Sequence, residues 1–129
     1  MTELNNQSEN AKRKLLAALG MCQKAMKLVS GEAACEKALQ VIATGKEPDA
    51  TAKLIIIAAD ASENTRKKFV NKAFFYKVPC YHMTKSGMDR DEISKAIGRQ
   101  NRATLAVTDE GFASRIEEML KSIEGVTAV

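Results

Sequence analysis

An α/β domain is what this sequence predicts, and three observations predict it. Apolar residues at helical spacing alternate with short apolar runs along the whole chain. The run KLIIIAA, Lys53 to Ala59, has no polar interruption after its lysine and suits a strand covered on both faces at the centre of a sheet. Glycine and proline stand where one element should stop and the next begin, at Gly31, in TGKEPDAT, at Pro79 and at Gly98. Helices on both faces of a small, largely parallel or mixed sheet follow as the economical arrangement.

The elements follow in order. From about Asn10 to Lys24, Leu15, Leu16, Leu19 and Cys22 share one side while Lys12, Arg13, Lys14 and Lys24 lie elsewhere, which marks an amphipathic helix. A short strand over Lys27 to Ser30 stops at Gly31, and a second helix carries Cys35, Ala38, Leu39 and Ile42 on one face to about Ala43. The central strand comes next. A third helix from Ser62 to about Tyr76 is expected to bury Phe69, Val70, Ala73 and Phe74, with Arg66, Lys67, Lys68, Asn71 and Lys72 mostly outward. Pro79 leads into the strand VPCYHM, and Asp89 with Glu92 three residues on is a capping pattern for a short helix through Ile97, stopped by Gly98. Ala103 to Val107 is the fourth strand. Thr108 or Asp109 opens the last helix, with Phe112, Ile116, Met119, Leu120 and Ile123 as its stripe. A flexible tail is expected over residues 1–10, one domain over 11–124, and a C-terminal tail over 125–129.

Composition narrows the function classes. A chain of 129 residues with 45% hydrophobic residues has the size and content of one domain with a real core. Lys and Arg total 20 against 16 Asp and Glu, a net charge of +4 that biases the surface mildly toward polyanions. The start MTELNNQSEN is polar and LIIIAA is far too short to span a bilayer, so a soluble protein with no membrane partner is expected. Cys22, Cys35 and Cys80 are an odd number without a CxxC pair, which suggests neither a disulfide framework nor a zinc site and fits a reducing, cytoplasmic setting.

Nothing in the sequence supports catalysis. His82 is the only histidine and, two positions from Cys80 on a strand, shares its face, but no third ligand or orienting acid is spaced to join them. Asp60, at the end of the central strand, stands where α/β enzymes often keep an acid, although such a residue more often caps the following loop and helix. Phosphate-cradle motifs of the GxxxxGK[ST] or GxGxxG type are absent. No cofactor, no metal and no enzyme activity are expected.

The join KLVSGEAACEKAL is more informative. Ala33 and Ala34 precede Lys37 by four and three residues and so share its helical face, and Lys37 lies about 200° around the helix from Cys35, away from the core stripe. Small residues there let a bulky partner approach, with Lys37 in reach of a phosphate and the Gly31 backbone open to close contact. Glu32 runs against this, because it already offers a carboxylate to the helix N-terminus.

Four segments, KLVSGEAACEKAL, KLIIIAADAS, KVPCYHM and AIGRQNRATLAVTD, carry a resemblance to the kink-turn RNA-binding ribosomal-protein family. That family includes archaeal large-subunit and box C/D ribonucleoprotein core proteins, and the resemblance is closest to its small bacterial relatives, over roughly Leu15 to Leu120. It implies a three-layer α/β/α sandwich around a mixed four-stranded sheet, and binding of structured RNA, a kink-turn or ribosomal RNA, without catalysis. The implied partners are that RNA and the ribosome or another ribonucleoprotein, with the chain itself a monomer. The family's RNA edge combines the glycine-led helix start, the loop after the central strand and the loop before the last strand.

Carried over position by position, the resemblance puts the family glycine at Gly31 and its helix lysine at Lys37, with Glu32, Ala33 and Ala34 between. The residue after the acidic strand end falls on Ser62, and the loop before the last strand contributes Arg99, Gln100, Asn101 and Arg102. Ala33 and Ala34 replace the asparagine and glutamate that read sheared G·A pairs in the family, so base readout should relax while phosphate contacts persist. Growth-arrest regulators share this fold, which gives the alternative of a protein-interaction adaptor.

Overall fold

The computed structural model describes residues 3–84 and 88–129. Its elements are α1 (Glu3–Lys24), β1 (Leu28–Ser30), α2 (Glu32–Gln40), β2 (Leu54–Ile57), α3 (Glu63–Tyr76), β3 (Cys80–Met83), α4 (Arg90–Ala96), β4 (Thr104–Val107), α5 (Glu110–Lys121) and β5 (Val126–Ala128), with short 3-10 turns at Val41–Thr44 and Pro48–Ala50. The strands form one mixed sheet in the order β1-β4-β2-β3-β5, parallel only between β2 and β3.

Alternation along β2 builds a core on each face of this sheet. Leu54 and Ile56 pack with Leu15, Leu19 and Cys22 of α1, Ile93 of α4 and Ile116 and Leu120 of α5. Ile55 and Ile57 pack with Cys35 and Leu39 of α2 and Phe69 and Ala73 of α3. All four β2 side chains are buried, as a strand between two helical layers requires. The three-layer α/β/α sandwich around a mixed sheet is therefore observed.

Local signals fix most helix starts. Ser62, Asp89 and Asp109 are the N-caps of α3, α4 and α5, and each side chain accepts a hydrogen bond from the amide three residues on. Gly98, in a left-handed conformation, follows α4.

The structure differs from these expectations at three places. The sheet has five strands rather than four, because the expected tail 125–129 supplies β5, which pairs antiparallel with β3 and satisfies backbone groups that an edge strand would leave unpaired. Helix α1 begins at Glu3, inside the segment 1–10 expected as a tail; Met1 and Thr2 lie outside the described residues. Phe74, expected in the core, is 86% exposed, and Phe75 beside it is 76% exposed. Helix α3 rests on Phe69 and Ala73, and Phe74 lies roughly 140° around from Phe69, off the buried face.

Candidate nucleic-acid interface

Strand directions bring three joins to one end of the sheet. Both β1 and β2 run antiparallel to the β4 strand between them, so the C-terminal ends of β1 and β2 lie beside the N-terminal end of β4: Ser30 is opposite Leu105 and Ile57 opposite Thr104. The start of α2, the loop from Ala58 to Ser62 and the loop from Gly98 to Ala103 therefore meet. Backbone bonds stitch them, with the Gly31 amide donating to Thr104 O at 2.9 Å and the Ala58 amide to Ala103 O at 2.9 Å.

Gly31 is the N-cap of α2 with φ 92° and ψ 159°, a region essentially restricted to glycine. The space where a Cβ would project is filled from within the protein: an ideal Cβ would lie 3.2 Å from Nη1 of Arg102. Gly31 thus turns the chain and admits the Arg102 guanidinium, where the sequence suggested only a turn or an approaching partner. Arg102 is fixed at its backbone, since its amide donates to Ser94 Oγ at 2.7 Å and that hydroxyl donates to Arg102 O at 3.3 Å. Its Nε is buried without a hydrogen-bond partner among the described residues.

Other positions drawn from the resemblance divide by what they touch. Glu32, in the first turn of α2, lies 3.5 Å from Lys68 Nζ and accepts from the Thr65 hydroxyl at 3.5 Å, which ties the start of α2 to the start of α3. Ser62 is engaged as a cap, accepting from the Thr65 amide at 3.1 Å. Ala33 is exposed and Ala34 half-buried. Lys37 is exposed, and among the described residues neither Lys37, Arg99 nor Arg102 has an ion-pair partner. Arg99, Gln100 and Asn101 are exposed and border a shallow depression of about 540 Å³ with Asp91, Ser94 and Lys95. The edge thus carries cations free to meet a polyanion.

The basic side of α3 contrasts with this edge. Lys68 and Lys72 both reach Glu36, at 2.6 and 3.8 Å, and Arg66 is paired with Glu63. The Lys68 ammonium holds the Glu36 carboxyl below its ordinary range, as a neutralised pair should. Nor does the Cys80–His82 pair offer a nucleophile: burial pushes the Cys80 thiol up to about 12 and, with Arg66 nearby, lowers His82.

No family model matches the chain. RNA-binding protein YlxQ of Bacillus subtilis (strain 168) is 38% identical over 102 residues, covering 79% of this chain and 90% of that protein. RNA-binding protein YlxQ of Enterococcus faecium is 32% identical over 114 residues, covering 88% and 98%. The chain belongs to the YlxQ family. Among solved structures, a protein with unknown function from Bacillus halodurans C superposes with a TM-score of 0.69 at 26% identity, over 84% of this chain and 98% of that one. The Giardia lamblia 15.5kD RNA binding protein superposes with a TM-score of 0.62 at 17% identity, over 89% and 88%, a likeness of fold.

In this YlxQ-family chain two residues at the edge escaped the sequence reading of the site. Arg90, the first residue of α4, reaches both Asp60 and Asn101. Ser94, buried in the same helix, anchors the loop before β4 by accepting from the Arg102 amide and, through its carbonyl, from the Arg99 amide at 2.9 Å. The available signal was helical spacing: Arg90 and Ser94 are one turn apart on the capped helix that opens at Asp89.

Proposed function

We propose that this chain is a non-catalytic RNA-binding protein that docks kinked, structured RNA, of the kink-turn kind found in ribosomal RNA, on the edge formed by Gly31 to Lys37, Ser62 and Arg99 to Arg102. It does so as a cytoplasmic monomer, with the ribosome or another ribonucleoprotein as the setting. The observation that carries the reading is the Arg102 guanidinium laid against Gly31 at the sheet end where three joins meet, with Lys37 and Arg99 also unpaired among the described residues. Both YlxQ relatives bear the name RNA-binding protein, which supports the same partner class.

Chemically, such an edge is suited to backbone recognition. Unpaired guanidinium and ammonium groups meet phosphates, and the Ala33 and Ala34 methyl groups offer bases no hydrogen bond, so shape counts for more than sequence. The decisive experiment is a gel-shift comparison of a kink-turn RNA with a straight duplex of equal length. Tighter binding to the kink-turn is expected, and equal affinity refutes the reading.

A second reading, a protein-interaction adaptor on the same fold, draws on the exposed Phe74 and Phe75 side chains beside Val129. Salt separates the two: phosphate contacts weaken steeply as salt rises, whereas an apolar protein interface does not.

A further inference from the structure

We propose that Arg90 is a positioning residue that clamps two loops of the RNA edge together, so that the edge is presented pre-formed. The inference rests on the RNA-binding reading above and adds a residue to it. Each nitrogen of the Arg90 guanidinium faces an oxygen of the protein. Its Nε lies 3.5 Å from Asp60 Oδ2, its Nη2 donates to the Asp60 carbonyl at 3.0 Å, and its Nη1 donates to Asn101 Oδ1 at 3.0 Å. Its own amide donates to Asp60 Oδ1 at 2.8 Å. One side chain therefore joins the loop after β2 to the loop before β4, which lie 41 residues apart from Asp60 to Asn101.

The loop needs such a restraint. Asn101 has φ 55°, in the left-handed region that asparagine tolerates better than most residues but that still costs free energy, so contacts that hold it there matter. The next residue is Arg102, whose guanidinium lies against Gly31. Releasing Asn101 would let the segment that presents Arg102 sample other conformations, and RNA would then have to order it on binding. Asp60 thereby gains a role: it neutralises and orients Arg90, although as a bare carboxylate at this edge it would only repel phosphate.

That opposition gives a test in which the two explanations differ in sign. Asp60→Asn keeps an acceptor for the Arg90 amide and removes a negative charge, so simple electrostatics predicts tighter RNA binding, whereas loss of the clamp predicts weaker binding. Affinity for a kink-turn RNA is measured at several salt concentrations for the wild type, Asp60→Asn, Arg90→Met and the double variant. Each single variant should bind about three- to tenfold more weakly, and the double variant no worse than the weaker single one. The slope of log affinity against log salt should not change, because Arg90 is not itself a phosphate contact. Tightening by Asp60→Asn, or a slope reduced by about one contact in Arg90→Met, overturns the proposal. A second measurement needs no RNA: hydrogen exchange at the Arg102 amide should accelerate about fivefold in both single variants while β4 amides stay protected. Unchanged exchange overturns the clamp even where RNA binding behaves as expected. A wild type indifferent to kinked RNA refutes the function reading, and the exchange result then judges the clamp alone.

Discussion

Replacing Gly31 with alanine tests how the edge is built. At φ 92° and ψ 159° any L side chain is strained by about 1–3 kcal/mol. The new Cβ would also lie 3.2 Å from Arg102 Nη1, a contact relieved only if the guanidinium moves. With about 2.1 cal/mol/K of unfolding entropy per residue, this 129-residue chain loses roughly 4 °C of melting temperature per kcal/mol. Thermal unfolding followed by circular dichroism should therefore show Gly31→Ala melting about 4–11 °C lower. Gly45→Ala is the control. Gly45 has φ 66° just after the 3-10 turn Val41–Thr44 that follows α2, with nothing within 4 Å of its Cβ position, so Gly45→Ala should lose about 1 kcal/mol and no RNA affinity. Assayed well below its melting temperature, Gly31→Ala should bind kink-turn RNA more weakly because Arg102 is displaced. A melting temperature within a degree of wild type, or full RNA affinity in the folded variant, refutes the reasoning.

Three further outcomes are expected. Replacing Lys37 and Arg102 together with alanine should weaken RNA binding and lower the salt slope by about two contacts without unfolding the domain, since both lie off the core; filter binding across a salt series checks it. Neutralising Lys67, Lys68 and Lys72 should change RNA affinity little, because Glu63, Glu32 and Glu36 already pair with them, and a large loss in the same assay would instead make α3 a second footprint. Alkaline pH should destabilise the fold. Burial raises Cys22, Cys35 and Cys80 from 9.0 to about 12, so between pH 9 and 12 the unfolded chain loses protons that the folded one keeps, and the denaturant midpoint should fall steadily across that window.

Restoring polar groups on α2 probes specificity. Ala33→Asn with Ala34→Glu should tighten binding to a standard kink-turn, less than additively because Glu32 already places a carboxylate nearby. Binding to RNAs with intact and disrupted G·A pairs checks it: wild type should tolerate the disruption better than the double variant does.

What the sequence determined by itself is what short-range chemistry determines. The caps Ser62, Asp89 and Asp109 each bond an amide three residues away, and the LIII run is apolar on both of its faces, so helix starts and the central strand follow from neighbours along the chain. The glycine at position 31 was legible for the same reason. The tertiary structure decided what fills the space over it, because Arg102 arrives from 71 residues away through the β1–β4 pairing. It also decided the partner of Asp60, since Arg90 reaches that carboxylate only after β2 and α4 are packed, and it turned Phe74 outward and the residues after Gly125 into a fifth strand. Periodicity records which residues avoid water, but a hydrogen bond between distant segments leaves no periodic trace in either of them.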